Sequence, residues 1–511
     1  MKISRDVLAV AVAVIVGALY YAVVLQSPIV FGDEGFYASV GRYMAQTGQY
    51  PIHPPYYGTD IYHPAFSRQP VFFFLNAGAW LIAGELGLKA LIPLFSVLAA
   101  LMLYVFFRSL GRPDQGIAAE FVLLMLPGMA TYGVLDYVET ANVLFTIFAL
   151  YFGYHALSDG KTEHAVFSGI FAGLALTTEL TALFVLPILA LWFLVSRSFG
   201  KWKTLLIIFA VAALVMAPYL ARNLILYNGF CYTFLPGDCA PVIDVAIPHD
   251  PSLGFANMVQ QTATNVGAVS FGVLNYFSFA WGWAASILLL FGIMFALLKR
   301  EKLDVFVLVW LAFFLLLTIQ QMLYGGRTED IPRYTLFGYP ALAAVAGMFV
   351  AEAFGWFSKK HIIIGLIVVA VLVLAVGMFG QEKLSTMVSV KAFSPGFFDG
   401  CKWIRANTPA DSLLFTIYGH HTAYQCDRRN ENTVPDKPEI QLTNNDTSYE
   451  HLKLHGFDYV FVQAFTISQV SAAENINPAF ISYMDSSPHF KKVYDNTAYY
   501  GSGGVLLYQV L

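Results

Sequence analysis

The chain has 511 residues, of which 58% are apolar or aromatic and only 12% charged, with a formal net charge of −4 and a mean hydropathy of +0.62. That charge content is about half the soluble-protein share. It excludes a string of soluble domains, a disordered chain or a disulfide scaffold, and the lack of a basic excess removes the electrostatic footprint of a nucleic-acid binder. A lipid bilayer must solvate much of the surface.

Eleven apolar stretches approach the length of a crossing: 6–26, 88–107, 117–135, 140–157, 165–178, 180–197, 203–219, 281–298, 304–323, 334–355 and 362–380. Lys2 and Arg5 precede the first. Arg108 and Arg112, then Lys161, then Arg197, Lys201 and Lys203, then Lys299, Arg300 and Lys302, then Lys359 and Lys360 mark alternate turns. Lys and Arg gather in cytoplasmic loops, so the N-terminus is expected in the cytoplasm. The extracytoplasmic side then receives loops 27–87, 136–139, 178–179, 220–280 and 324–333. No small-residue cleavage site follows the first stretch, which reads as a retained span. The apolar segment 71–84 has 14 residues. As a helix it covers about 21 Å, short of the roughly 30 Å hydrocarbon core. Counting it as a crossing would put Arg108 and Arg112 outside, so it reads as a juxtamembrane or re-entrant helix on the outer face. From Gln381 the composition becomes that of a soluble domain. FFDGCKWIRANT reads as a helix, and SLLFTIY, FDYVFVQA, FKKVYDN and GVLLYQVL as strands. The expected fold is mostly α: a polytopic transmembrane helical bundle over residues 1–380 and a small extracytoplasmic α/β domain over 381–511.

The informative polar groups cluster at the outer ends of spans. Asp33 and Glu34 follow directly on the first span in FGDEGFYASVGRYMAQTGQYP. Adjacent carboxylates at a membrane surface need a cation, a metal or a shared proton. The competing reading is a helix cap, since Phe36, Tyr37, Val40, Tyr43 and Met44 recur at helical spacing and acidic residues favour a first turn. The same loop carries Arg68, and also His53 and His63, which are candidate ligands for a divalent metal or plain surface histidines. Asp136 and Glu139 sit at the next outer turn, or simply open the following helix. Glu179 lies at another. Arg222, Arg327 and Arg333 lie outside against the charge rule. The guanidinium fork matches phosphate oxygens; the alternative is pairing with Glu329 or Asp330. Carboxylates among arginines at a lipid boundary suit a reaction on a lipid-linked phosphate. A carboxylate accepts the proton of an acceptor hydroxyl, and cations stabilise the departing phosphate. The chain contains no GxxxxGK[ST] nucleotide loop, and a donor carried on lipid needs none. In the C-terminal domain His420 and His421 read as surface or structural groups. All four cysteines fall outside, so Cys231–Cys239 and Cys401–Cys426 are candidate disulfides, with four free thiols as the alternative. Asn445 opens a formal glycosylation sequon.

The Asp33-Glu34 pair after the first span, with the GRYMAQTGQYP stretch behind it, resembles the integral-membrane glycosyltransferases of the GT-C class. SRQPVFFFL, PYLARNLILYNGF and PRYTLFGYPALA are similar, in that order, to segments of its protein O-mannosyltransferase and lipid A aminoarabinose transferase branch. The likeness covers most of residues 1–380. It implies that Asp33 is the general base of an inverting transfer, with Glu34 beside it. It implies further that Arg68 holds the lipid phosphate where relatives often have Lys, that Arg333 and Arg222 are outer-face cations, and that Asp136 or Glu139 is the acidic group of the second loop. Gln69 replaces a usual Pro, and Glu179 lies where many relatives have Lys. Metal use varies within the class, so a divalent metal is left open and no cofactor is assigned. The expected partners are a polyprenyl-phosphate sugar donor, membrane lipid, and a protein, lipid or glycan acceptor. Two other functions compete: a lipid-linked sugar transporter or flippase, which would gather charge at mid-membrane, and a non-catalytic receptor subunit.

Overall fold

The computed structural model describes residues 4–30, 32–56, 66–230, 282–323, 331–390, 394–416, 419–431, 446–463 and 478–511. Of the residues singled out above, Lys2, His63, Cys231, Cys239, Arg327, Glu329, Asp330 and Asn445 lie outside them.

Helix α1 (Arg5–Gln26) starts at Ser4, whose hydroxyl accepts the Val7 N–H at 3.2 Å, an N-cap that satisfies one orphan donor. Helix α2 (Glu34–Thr47) stops at Gly48 in the left-handed region. Helix α3 (Val71–Ser109) is two segments, broken at Ala83–Gly84, where Gly84 has φ 58°. The short stretch 71–84 is therefore separated by a glycine turn from the crossing that follows. Its Leu81 and Ile82 are 71% and 87% exposed, as befits side chains solvated by lipid.

Helices α4 (Pro113–Met125), α5 (Pro127–Tyr132), α6 (Val138–Asp159), α7 (Thr162–Leu176), α8 (Val185–Val195) and α9 (Trp202–Tyr227) follow. Four long helices complete the bundle: Gly282–Lys299, Lys302–Leu323, Tyr339–Lys359 and Ile363–Val390. Among the described residues eight helices are long and apolar enough to cross a membrane, against the eleven crossings expected. The other three are shorter for visible reasons. Pro127 breaks 117–135 into α4 and α5, and α7 and α8 have 15 and 11 residues. Helix α7 meets α9 through Gly169 and Gly173, where an added Cβ would come 2.6 Å from Val211 and 2.5 Å from Val215. Small residues one turn apart let two membrane helices approach this closely. The last long helix runs ten residues past the composition break at 380.

Charge is sorted to the two ends of the bundle. At one end Arg5 pairs with Asp114 and Arg108 with Asp6 at 2.6 Å, Arg112 with Asp304 at 2.7 Å, and Lys299 with Glu352 at 2.7 Å. The opposite end, about 33 Å away along α1, carries Asp33, Asp136, Glu139 and Arg333.

The C-terminal domain is a five-stranded mixed sheet of order β2-β1-β3-β5-β4. Strands β1 (Leu413–Thr416), β3 (Tyr459–Gln463), β4 (Phe490–Asp495) and β5 (Val505–Val510) fall where expected. The three-residue β2 (Arg429–Glu431) is too short to show alternation. Side-chain alternation sends Leu413, Phe415, Val460 and Val462 to a core with Leu452, Phe480 and Met484. It sends Leu414, Phe461, Val505 and Leu507 to a second core with Phe397, Ile404 and Cys426. Helix Gly419–Cys426 is held on the bundle by Arg42, which donates to the Tyr424 carbonyl at 3.1 Å and pairs with Asp427 at 2.8 Å. Gln425 donates to the Ile29 carbonyl at 3.0 Å. The Cys401–Cys426 disulfide forms and ties this helix to Pro395–Asn407. Replacing both cysteines by serine releases a 25-residue loop; the expected loss is about 2–4 kcal/mol, read as a lower Tm of the C-terminal domain in thermal unfolding.

Candidate active site

The site starts where α1 ends. Gly32 has φ +49°, and a Cβ there would lie 2.0 Å from the Tyr137 hydroxyl, so both the turn and the contact require glycine. The Tyr137 hydroxyl accepts the Asp33 N–H at 2.9 Å. Asp33 occupies the N-cap position of α2, yet its side chain makes no capping bond; only its carbonyl receives the Phe36 and Tyr37 amides. The carboxylate is 36% exposed. Arg333 Nη1 donates to its Oδ2 at 2.7 Å, and His420 Nε2 lies 3.6 Å from its Oδ1. Burial pushes the Asp33 carboxyl up, but Arg333, His420 and Arg68 together outweigh it and hold it below the ordinary aspartate range.

Arg333 is the hub. Its Nε donates to Glu139 Oε1, its Nη2 to the Tyr37 hydroxyl at 3.3 Å, and its guanidinium lies 4.5 Å from the Tyr137 ring centroid. Glu139 is buried, and the Arg333 side chain is nearly so, at 13% exposure. Glu34, although beside Asp33, is turned inward. It is 1% exposed, and its two oxygens accept the backbone amides of Asp136 at 3.0 Å and Val30 at 3.3 Å. Asp136 accepts from Asn76 Nδ2 at 3.1 and 3.2 Å. These two carboxylates hold the outer turns together, whereas Asp33 and Glu139 share the arginine.

Arg68 is half-buried in the irregular stretch before α3, with its guanidinium 5.9 Å from the Phe36 ring. That stretch is anchored by Arg222, which donates to the carbonyls of Phe66 at 3.1 Å and Pro51 at 2.5 Å, and by Tyr219, which donates to the Ser67 carbonyl at 2.6 Å. Arg222 thus grips backbone oxygens, although its place in the sequence marks it as a phosphate ligand. Glu179 is half-buried, and burial and nearby Glu139 push its carboxyl above the usual range. His53 is exposed on the rim of a cavity of about 470 Å³ with Tyr43, Gln49 and Tyr50. Among the described residues no three His, Cys, Asp or Glu side chains converge as a metal site. His420 was the group that sequence reasoning passed over. A histidine 387 positions from Asp33 carries no local signal of that contact.

Residues 63–221 match the family described as dolichyl-phosphate-mannose-protein mannosyltransferase, a segment that holds Arg68, Asp136, Glu139 and Glu179. A search of curated protein sequences finds no match. Among solved structures, the Archaeoglobus fulgidus oligosaccharyltransferase in complex with Zn and sulfate matches with TM-score 0.64 and 15% identity, over 89% of this chain and 68% of that one. ArnT from Cupriavidus metallidurans bound to undecaprenyl phosphate matches with TM-score 0.59 and 13% identity, over 98% and 97%. The arabinofuranosyltransferase AftD from Mycobacteria matches with TM-score 0.60 and 14% identity, over 100% and 40%. At these identities the likeness to solved structures is one of fold. The class this chain resembles, in fold and over residues 63–221, is the GT-C membrane glycosyltransferases. Within it, this integral membrane protein resembles the protein-mannosyltransferase and ArnT branch.

Two outcomes follow from this geometry. Arg333→Gln leaves the burial of Asp33 less opposed, so the Asp33 carboxyl titrates at higher pH, read by its carboxylate infrared band; a titration unmoved by the substitution contradicts the pairing. Arg222→Lys keeps the charge but loses the fork. It is expected to increase proteolysis between residues 48 and 70 as much as Arg222→Ala does, whereas rescue by lysine indicates a plain charge requirement.

Proposed function

We propose that the chain transfers a sugar from a polyprenyl-phosphate donor to a hydroxyl-bearing acceptor on the extracytoplasmic face, with inversion and with Asp33 as general base. The observation that carries this reading is the carboxylate of Asp33. It sits at a helix start without capping it, ionised, partly open, and flanked by Arg333, Arg68 and His420.

The acceptor hydroxyl donates to Asp33 Oδ1, the oxygen that Arg333 does not hold. As its oxygen bonds to the anomeric carbon, the sugar–phosphate bond breaks and the hydroxyl proton moves to the carboxylate. The polyprenyl phosphate leaves with both electrons of that bond, and the guanidinium groups of Arg68 and Arg333 stabilise its growing charge. One displacement at the anomeric carbon inverts it. Arg222 acts one step back, by holding the stretch that bears Arg68. Glu139 keeps Arg333 aimed at Asp33. The sidedness rests on the lysines and arginines of the loops at the far end of the bundle.

The donor class is supported by the family match and by the bound lipids of similar folds: undecaprenyl phosphate in ArnT and a dolichol phosphate in the archaeal enzyme AglB. The test is mass spectrometry of cell-surface glycans, glycoproteins and lipids with and without the gene. A sugar-sized mass lost on deletion returns with the wild-type gene. With Asp33→Asn it stays absent, at a rate lower by about 10²–10⁴-fold and unchanged protein level. Full restoration by Asp33→Asn removes this mechanism.

A further inference from the structure

The C-terminal domain reaches into the site through one side chain. His420 stands 3.6 Å from Asp33 Oδ1, on the side opposite Arg333. Its ring packs edge-on against Phe36 at 5.5 Å. Its carbonyl oxygen would lie 2.2 Å from a Cβ at position 35, so only Gly35 lets the start of α2 come this close. The helix that bears it is fixed by the Cys401–Cys426 disulfide, by Arg42 and by Gln425. A surface histidine needs none of this. His420 is one-third exposed, so a proton has a path from it to solvent.

We propose that His420 is the group on which the acceptor's proton comes to rest after passing through Asp33. This rests on the glycosyl transfer proposed above. During transfer the acceptor O–H bond breaks as its oxygen bonds to the anomeric carbon, and the electrons of the sugar–phosphate bond leave on the polyprenyl phosphate. The proton passes from Asp33 Oδ1 to His420 Nε2 and then to solvent, which restores both groups. A carboxylate paired with a guanidinium binds a proton weakly, whereas an imidazole holds one near neutral pH. The 3.6 Å separation is longer than a hydrogen bond, as is common before substrate tightens a site. The titratable groups beside His420 are Asp33, which favours its protonated form, and His421, which opposes it. His421 is pushed down to about 4 by burial and by His420, so it stays neutral and cannot substitute.

The test uses the full-length enzyme in detergent or vesicles with a panel of undecaprenyl-phosphate hexoses and pentoses, with release of undecaprenyl phosphate as the readout. For wild type, kcat is expected to fall on the acid side as the His420 imidazole becomes protonated. In His420→Gln that limb disappears, kcat drops at least about tenfold, and the donor KM is unchanged. In His420→Ala, free imidazole restores turnover. A wild-type rate and an unchanged limb in His420→Gln overturn the proposal, as does a slow variant that keeps the limb and ignores imidazole. If neither variant folds, a wild-type profile without the limb overturns it. An active Asp33→Asn, or a wild type inactive on every donor, overturns the glycosyl-transfer reading itself. An inactive Asp33→Asn beside a normal His420→Gln overturns only the role of His420.

Discussion

One guanidinium organises the outer end of this protein. Arg333 is nearly buried between Asp33 and Glu139, and a buried charge of this kind persists only if paired on several sides. Glu139 lies at the start of α6, Asp33 at the start of α2, and Arg333 in the turn Ile331–Tyr334 before the helix Tyr339–Lys359. Three segments far apart in the chain are thus locked by one group. Breaking such a set by removing one partner costs on the order of 3–5 kcal/mol, because the remaining carboxylates are then uncompensated.

The neighbouring carboxylates divide their work by exposure. Glu34 and Asp136 satisfy backbone amides and an asparagine side chain, which leaves them no spare acceptor directed at an open site. Asp33 keeps one oxygen that Arg333 does not occupy, and it is the one of the four that is appreciably exposed. The arginines divide likewise. Arg222 is spent on carbonyl oxygens of the loop and on the faces of Tyr50 and Tyr227, while Arg68 lies closer to the carboxylate it influences.

The C-terminal domain is more than a cover. Arg42, at once paired with Asp427 and stacked between Tyr56, Trp80 and Tyr424, sets the domain on α2, the helix whose N-cap position Asp33 occupies. The helix that orients the candidate base and the helix that brings His420 are therefore docked to each other. Small movements of the domain change the Asp33–His420 distance directly.

Apolar runs, the asymmetry of lysine and arginine, and the acidic pair after the first span were legible because each is local: hydrophobic length and loop charge are read one segment at a time. The same holds for four of the five strands, written as short runs rich in apolar and aromatic residues. Three of the expected crossings form shorter helices than their apolar runs, because apolarity does not reveal the break at Pro127 or the 11-residue length of α8. Which carboxylate is open, which arginine is spent on carbonyls, and that His420 meets Asp33 were decided only by tertiary structure. Each depends on contacts between groups separated by about a hundred to nearly four hundred residues, and no periodicity or spacing along the chain encodes a distance across it.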